Sequence, residues 1–233
     1  GVIVLPCGAG KTVVALYVMS LVGAKTLILT TNTVAVRQWR EEILDKTGLA
    51  PEQVAEYTGD HKAVAPVTIT TYQMLTWRRS KQEHFEHFEL FSKENWGLVV
   101  YDEVHLLPAP VFRATADLQA RRRLGLTATL VREDGKEDEV FCLIGPKRYD
   151  VPWKVLEGQG FIATASCTEV RVPLDPALKP AYMAASARNK FRVASENPAK
   201  TAVVEALIAK HAGGRILIIG QYIDQLNALA QQL

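Results

Sequence analysis

Cysteine is scarce in this chain of 233 residues: Cys7, Cys142 and Cys167 are all it has. They lie far apart and match no zinc-ligand spacing, which points to a reducing cytosolic compartment. Long apolar runs are missing too. None approaches the roughly 20 residues that span a bilayer, and no signal peptide is visible, so no membrane association is expected. Nor does charge of one sign dominate. The formal net charge is +2, so any nucleic-acid surface must be a local patch. There is no internal repeat or low-complexity segment. The chain has no initiator methionine and opens at the edge of a strand-like run, so it is expected to be an excerpt of a longer protein.

What is present begins with "LPCGAGKT", Leu5–Thr12. The phosphate-binding pattern G-x-x-x-x-G-K-[ST] is complete except at its first position, where Leu5 stands. The flanks supply the required context. Val2–Leu5 is a short β-branched run suited to a buried parallel strand. Val14, Tyr17, Val18 and Leu21 follow at i, i+3, i+4, i+7 and predict one face of a helix. Gly8 and Gly10 can take backbone angles closed to other residues. Pro6, Cys7, Gly8, Ala9, Gly10, Lys11 and Thr12 would then wrap phosphates at a helix N-terminus. Lys11 would reach the β- and γ-phosphates and the Thr12 hydroxyl would ligate Mg²⁺. The bland alternative is an ordinary glycine-rich turn, and Cys7 reads as a small tolerated residue rather than a catalytic thiol.

Strand-like runs recur at Thr26–Thr30, Val67–Thr70, Leu98–Asp102 and Arg123–Thr127, with a short one at Val54–Tyr57. A helix begins near Thr33 and carries Val36, Trp39 and Ile43 on one face. Strands alternating with helices predict an α/β fold whose mostly parallel sheet is covered by helices on both faces. Ligands of such sheets bind beyond the carboxyl ends of the strands. Pro146 and Pro152 then mark a transition. Residues 1–150 are expected to form one domain, 151–166 a linker, and 167–233 the start of a second α/β domain. That second part is expected to hold strands at Thr168–Val172 and Arg215–Ile219, a polar helical stretch from about Pro176 to Ser195, a helix over Ala199–His211, and a last helix carrying Ile223, Leu226 and Leu229.

"LVVYDEVH", Leu98–His105, ends an apolar strand in two carboxylates and a histidine. Asp102 at a strand tip can hold Mg²⁺ opposite Thr12. Glu103 can orient and polarise an attacking water, and His105 can link the phosphate site to another element. "LGLTATL" places Thr127 and Thr129 at another strand end, where hydroxyls are more often plain hydrogen-bonders.

In order, "LPCGAGKT", "TTNTVAVRQW", "TYQML", "DEVH" and "GLTATLVREDG" resemble the N-terminal motor motifs of superfamily 2 helicases. The valine of "DEVH", the cysteine of the phosphate loop and the "RED" after "TAT" resemble the XPB type in particular, and "LIGPKRYDVPW" its bacterial form. The resemblance covers nearly the whole chain. It implies a RecA-like P-loop NTPase domain followed by a truncated second one, ATP and Mg²⁺ as cofactors, and 3′→5′ DNA unwinding in nucleotide excision repair. By the same resemblance Thr127, Ala128 and Thr129 couple hydrolysis to unwinding. Asn32, Thr33, Thr71 and Tyr72 track the DNA backbone. Arg132, Glu133 and Asp134 belong to a strand-separating loop, and the stretch near 176–195 to a thumb-like insertion. DNA is the implied partner, with a repair nuclease beside it, and the implied location is cytoplasmic, at the nucleoid. The arginine finger of the second motor domain has no counterpart in these residues.

Two other readings stay open: a double-stranded DNA translocase that does not unwind, and a nucleotide-gated DNA-binding module without turnover. Arg121–Arg123 and Arg78, Arg79 and Lys81 form local basic patches that either meet DNA or are simply solvated. His84 and His87 are spaced for a metal, yet Phe85, Phe88 and Phe91 interleave with them, which favours a half-buried amphipathic segment. Trp39 reads as core rather than as a stacking platform.

Overall fold

The computed structural model describes residues 1–80, 84–107, 109–129, 135 and 137–232. The chain divides into two compact units, Gly1–Thr164 and Ala165–Leu233. Among the described residues no helix is long and apolar enough to cross a membrane.

The first unit is built on one sheet. Its strands are β1 (Val2–Val4), β2 (Thr26–Thr30), β3 (Val54–Tyr57), β4 (Val67–Thr71), β5 (Trp96–Asp102), β6 (Ala120–Thr127) and β7 (Lys147–Asp150). Their order is β3-β4-β2-β5-β6-β1-β7, and every pairing is parallel. The helices are α1 (Lys11–Val22), α2 (Thr33–Lys46), α3 (Tyr72–Leu75), α4 (Glu86–Ser92), α5 (Pro110–Arg113), α6 (Glu137–Ile144) and α7 (Trp153–Gly158).

Both faces of the sheet are covered, so its central strands are apolar throughout rather than alternating. Alternation survives in which face each residue serves. Leu27, Leu29, Val99 and Tyr101 pack with Tyr72 and Leu75 of α3, Phe91 of α4, and Val140 and Ile144 of α6. Ile28, Leu98 and Val100 pack on the opposite face with Ala15, Leu16 and Met19 of α1 and Val36, Trp39 and Ile43 of α2. Buried threonines in these strands bond to backbone carbonyls: Thr30 Oγ1 donates to Asn32 and Thr70 oxygens, and Thr70 Oγ1 to Tyr57 O. Their hydroxyls are therefore satisfied inside the protein.

The strands expected in this first unit and the expected α2 face are borne out. The face expected of α1 is not. Ala15, Leu16 and Met19 are its buried row, while Tyr17 and Leu21 are 65% and 69% exposed. The helix is apolar almost all round, so periodicity alone draws several plausible faces through it. Strand β7 was not anticipated. All four of its residues are exposed, and it joins the sheet edge through its backbone beside β1, with a register shift between Val2 and Ile3. A strand held this way carries no apolar pattern to read.

The aromatic segment around His87 folds as an amphipathic helix, α4. His87 of α4 is buried and its Nδ1 lies 3.0 Å from Tyr57 Oη. Tyr57 meets His87 and Phe91 edge-on, and Trp77 lies against the imidazole from the other side. His84 is exposed. Burial pushes the His87 pKa below the ordinary histidine value, with Lys62 adding to the effect. The folded state thus takes up a proton less readily than the unfolded chain. Stability from this group is present above about pH 6.5, the unfolded value, and is lost as pH falls through the lower folded value. Thermal melts should show this chain losing stability more steeply between about pH 7 and about pH 5 than a His87→Gln variant; parallel curves would remove His87 from the acid response.

The second unit contains α8 (Lys179–Ala184), α9 (Ala187–Ser195), α10 (Ala199–Lys210) and α11 (Ile223–Gln232). Helix–helix contact is organised by polar anchors. The Asn197 side chain is buried, donates to Pro173 O and accepts from Asp175 N. Arg192 bonds Glu196 and Asp224 and lies over the Tyr222 ring. The strands expected at Thr168–Val172 and Arg215–Ile219 are absent from the described structure; both segments are irregular. A strand needs a neighbour to pair with, and neither finds one here. Leu217 and Ile219 are left 82% and 84% exposed.

Candidate active site

The phosphate loop joins β1 to α1 at the carboxyl edge of the sheet. Leu5, at the position where glycine usually stands, is 5% exposed and donates its N–H to Thr127 O. It therefore still belongs to the strand end, and its side chain goes to the core. The two glycines that remain carry the turn. Gly8 and Gly10 have φ of 77° and 83°, and a Cβ at either would meet nothing within 4 Å. Backbone conformation, not space, requires glycine there. Gly10 caps α1 without a side-chain bond, so the first N–H groups of α1 have no side-chain acceptor and point where an anion would sit. Lys11 Nζ donates to Leu5 O at 3.3 Å, which folds it back along the loop and leaves its other protons to spare.

Asp102 ends β5. It shares parity with Leu98 and Val100, so its side chain lies on the α1/α2 face, beside the loop. Each carboxylate oxygen has a donor: Trp39 Nε1 reaches Oδ2 at 2.9 Å, and Glu103 N reaches Oδ1 at 3.1 Å. Burial pushes the Asp102 pKa up, while the Trp39 bond and the Lys11 charge pull it down.

Glu103 adopts φ 53°, the one positive φ among described non-glycine residues. Such a conformation costs on the order of 1–3 kcal/mol and persists only where the surroundings enforce it. It turns the Glu103 side chain away from β5 and toward β6. There Oε2 lies 3.3 Å from His105 Nδ1 and 3.4 Å from Thr127 Oγ1. His105 holds the Glu103 pKa below the usual carboxylate value, against burial. His105 Nδ1 and Thr127 Oγ1 are 2.9 Å apart, and Thr127 Oγ1 also donates to Thr129 O and accepts from Thr129 N. One buried hydroxyl thus joins the carboxylate, the imidazole and the backbone after β6. Ala128 is half-buried and Thr129 exposed.

Lys11, Thr12, Asp102 and Glu103 line one cleft of about 120 Å³ with Ala35, Gln38, Trp39 and Glu42. That lining holds one cation, Lys11, and three carboxylates, of which Glu42 is paired with Lys46 at 2.7 Å and Glu103 lies 3.3 Å from His105. Thr12 and Asp102 both line this cleft, a hydroxyl and a carboxylate of the oxygen type that Mg²⁺ takes.

The candidate DNA residues divide. Asn32 caps α2 by accepting from Ala35 N and is exposed, as is Thr33. Thr71 caps α3 by accepting from Met74 N and is 6% exposed. Tyr72 is a correction. It is fully buried and its hydroxyl donates to Asp102 O at 2.8 Å, so its side chain serves the carboxylate strand and is closed to DNA. Arg132, Glu133, Asp134 and Lys81 lie outside the described residues. Arg121 and Arg122 are exposed at the start of β6, on the sheet edge opposite the cleft. Arg123 turns inward, donating to Leu143 and Leu118 carbonyls. The residue that sequence reasoning missed is Trp39. It is a core residue as expected, and its indole N–H meets Asp102; parity along β5, which puts Asp102 on the α2 face, is the one sequence signal that points there.

A profile of the family described as "Type III restriction enzyme, res subunit" matches residues 1–132. The whole chain is 59% identical to a "DNA 3'-5' helicase XPB" of Kineococcus radiotolerans and 55% identical to one of Mycobacterium tuberculosis, and it spans 42% of each. It is 38% identical over its full length to the "General transcription and DNA repair factor IIH helicase/translocase subunit XPB" of Encephalitozoon cuniculi, spanning 36% of that protein. Among solved structures, the Hef helicase domain of Pyrococcus furiosus superposes on 91% of the chain and 50% of its own, with a TM-score of 0.59 at 21% identity. That likeness bears out the RecA-like α/β fold.

Proposed function

Because this chain belongs to the family described as type III restriction enzyme, res subunit, we propose that it carries the ATP-hydrolysing site of an XPB-type 3′→5′ DNA helicase. The observation that carries this is the junction of Glu103, His105 and Thr127 beside the Lys11–Thr12 loop. A phosphate cradle alone would serve any nucleotide binder. A strained glutamate held ionised and tied to another strand serves one that hydrolyses.

Residues 1–150 form the ATP-binding motor domain in this reading, 151–166 the linker and 167–233 the opening of the second domain, with a thumb-like insertion near 176–195. The N–H groups of Gly8 to Thr12 and the Lys11 ammonium hold the phosphates. Thr12 and Asp102 hold Mg²⁺, which supplies charge neutralisation on the phosphate oxygens. Glu103 orients a water and accepts its proton. Thr127, with Ala128 and Thr129, passes the state of that carboxylate to the segment after β6, where Arg132, Glu133 and Asp134 stand. DNA lies along Asn32, Thr33 and Thr71. A repair nuclease is the proposed partner and the nucleoid the proposed location. The name "helicase/translocase" borne by the Encephalitozoon cuniculi relative favours translocation on duplex DNA as the second reading. ATPase and strand-displacement assays, run side by side on the protein extended to the length of its relatives, separate unwinding, translocation alone and binding without turnover.

Asn32 and Thr33 are exposed polar side chains at a helix start and suit phosphates rather than base edges, while Thr71, its side chain buried, would meet DNA through its backbone. The logarithm of DNA affinity should therefore fall linearly with the logarithm of salt, by about 0.7 per single-strand phosphate contacted. Scrambling the oligonucleotide should leave affinity unchanged. A preference for one base sequence would contradict the backbone-tracking role of Asn32, Thr33 and Thr71.

A further inference from the structure

The geometry points to Trp39 as a positioning residue for Asp102, and to Asp102 as the place where the two DNA-side helices act on the nucleotide site. The inference rests on the reading above and deepens it.

Asp102 is gripped from both faces of the sheet. Trp39, packed with the α1/α2 cluster, donates to its carboxylate; Tyr72, packed with the opposite cluster, donates to its carbonyl. The two donors belong to α2 and α3, whose first turns are capped by Asn32 and Thr71. A contact at Asn32 lies about 10 Å along α2 from Trp39, two turns of helix. A rigid helix moved at its start moves its indole against Oδ2. On α3 the cap and the donor are adjacent residues.

A buried tryptophan needs some acceptor, so the bond could be mere satisfaction. Trp96 shows what that looks like: its indole N–H donates to Phe91 O, five positions away. Trp39 instead reaches across 63 positions to a carboxylate. Both oxygens of that carboxylate carry a donor, which fixes its plane and leaves a lone pair on each for a hydrated metal.

The test uses the full chain with isotope-labelled indoles. It is titrated with Mg²⁺ and a non-hydrolysable ATP analogue, and separately with a single-stranded oligonucleotide. The Trp39 indole resonance, identified by its loss in Trp39→Phe, should move with each, while that of Trp96 stays. Trp39→Phe keeps an apolar ring in the core. The factor by which DNA changes nucleotide affinity should fall toward one in this variant, by about tenfold, as expected for one hydrogen bond to a charged group. Tyr72→Phe removes only a hydroxyl and should lower the same factor, which keeps the test decisive if Trp39→Phe folds poorly. If phosphate-loop amides ignore Mg²⁺ and the analogue, the nucleotide reading fails and this inference falls with it. If they respond while the Trp39 indole is still, or if both variants keep the wild-type factor, the inference alone is overturned.

Discussion

Glu103→Gln is expected to leave nucleotide binding intact and to cut turnover by about 10²–10⁴-fold, the usual cost of a lost acid–base group. The substitution keeps side-chain shape. What it removes is the charge that His105 holds in place at 3.3 Å. His105 holds the Glu103 pKa below the ordinary carboxylate value, which suits the proposed role of orienting and polarising water with a fixed charge. In the proposed reading the phosphate contacts come from the loop and Lys11, which the change does not touch. Equilibrium binding of a non-hydrolysable analogue and single-turnover hydrolysis, measured together, check this. Hydrolysis at the wild-type rate would strip Glu103 of its role. Weakened binding at matched turnover loss would mean that the carboxylate organises the cradle rather than the water.

Legibility in the sequence followed chemistry that repeats. The phosphate-loop pattern, Asp102 and Glu103 stand out in the sequence because that chemistry needs fixed residue types at strand ends, and the structure brings Lys11, Thr12, Asp102 and Glu103 to one cleft. The central strands were readable because burial on both faces demands unbroken apolar runs. β7 was not, since an edge strand can be held by backbone bonds alone and leaves Lys147–Asp150 free of pattern. The α1 face was ambiguous because Val13 to Met19 are apolar without a break, and only the sheet decides which of them it touches. Thr168–Val172 and Arg215–Ile219 have strand composition, yet composition cannot supply a neighbour to pair with. At the site, the family resemblance places Tyr72 with Thr71 on the DNA backbone, and the structure buries it. A capping threonine turns the next side chain into the core, and the aromatic ring then finds Asp102. Parity along β5 does place Asp102 on the α2 face; that signal was available and would have directed attention to Trp39.

Lys11→Ala is expected to weaken nucleotide binding by about a hundredfold, the upper range for a hydrogen bond to a charged group. Lys11 is the lone cation in a cleft lining that also holds Glu42, Asp102 and Glu103. Without it Asp102 and Glu103 face an anion with no lysine in the lining, Glu42 being paired with Lys46, and more of the neutralisation shifts to the metal. Binding by the variant should therefore depend more steeply on Mg²⁺ concentration than binding by the unaltered chain. The unliganded lysine gives up only its bond to Leu5 O when it turns to a phosphate, so little of the gain is lost in rearrangement. The loop itself should survive, because its shape is set by Gly8 and Gly10 and by the Leu5 bond to Thr127. Titration with a fluorescent ATP analogue at several Mg²⁺ concentrations, with melting temperature as the check on folding, measures both effects. Unchanged affinity in a folded variant would place the phosphates away from Lys11 and would undo the assignment of this loop as the nucleotide site.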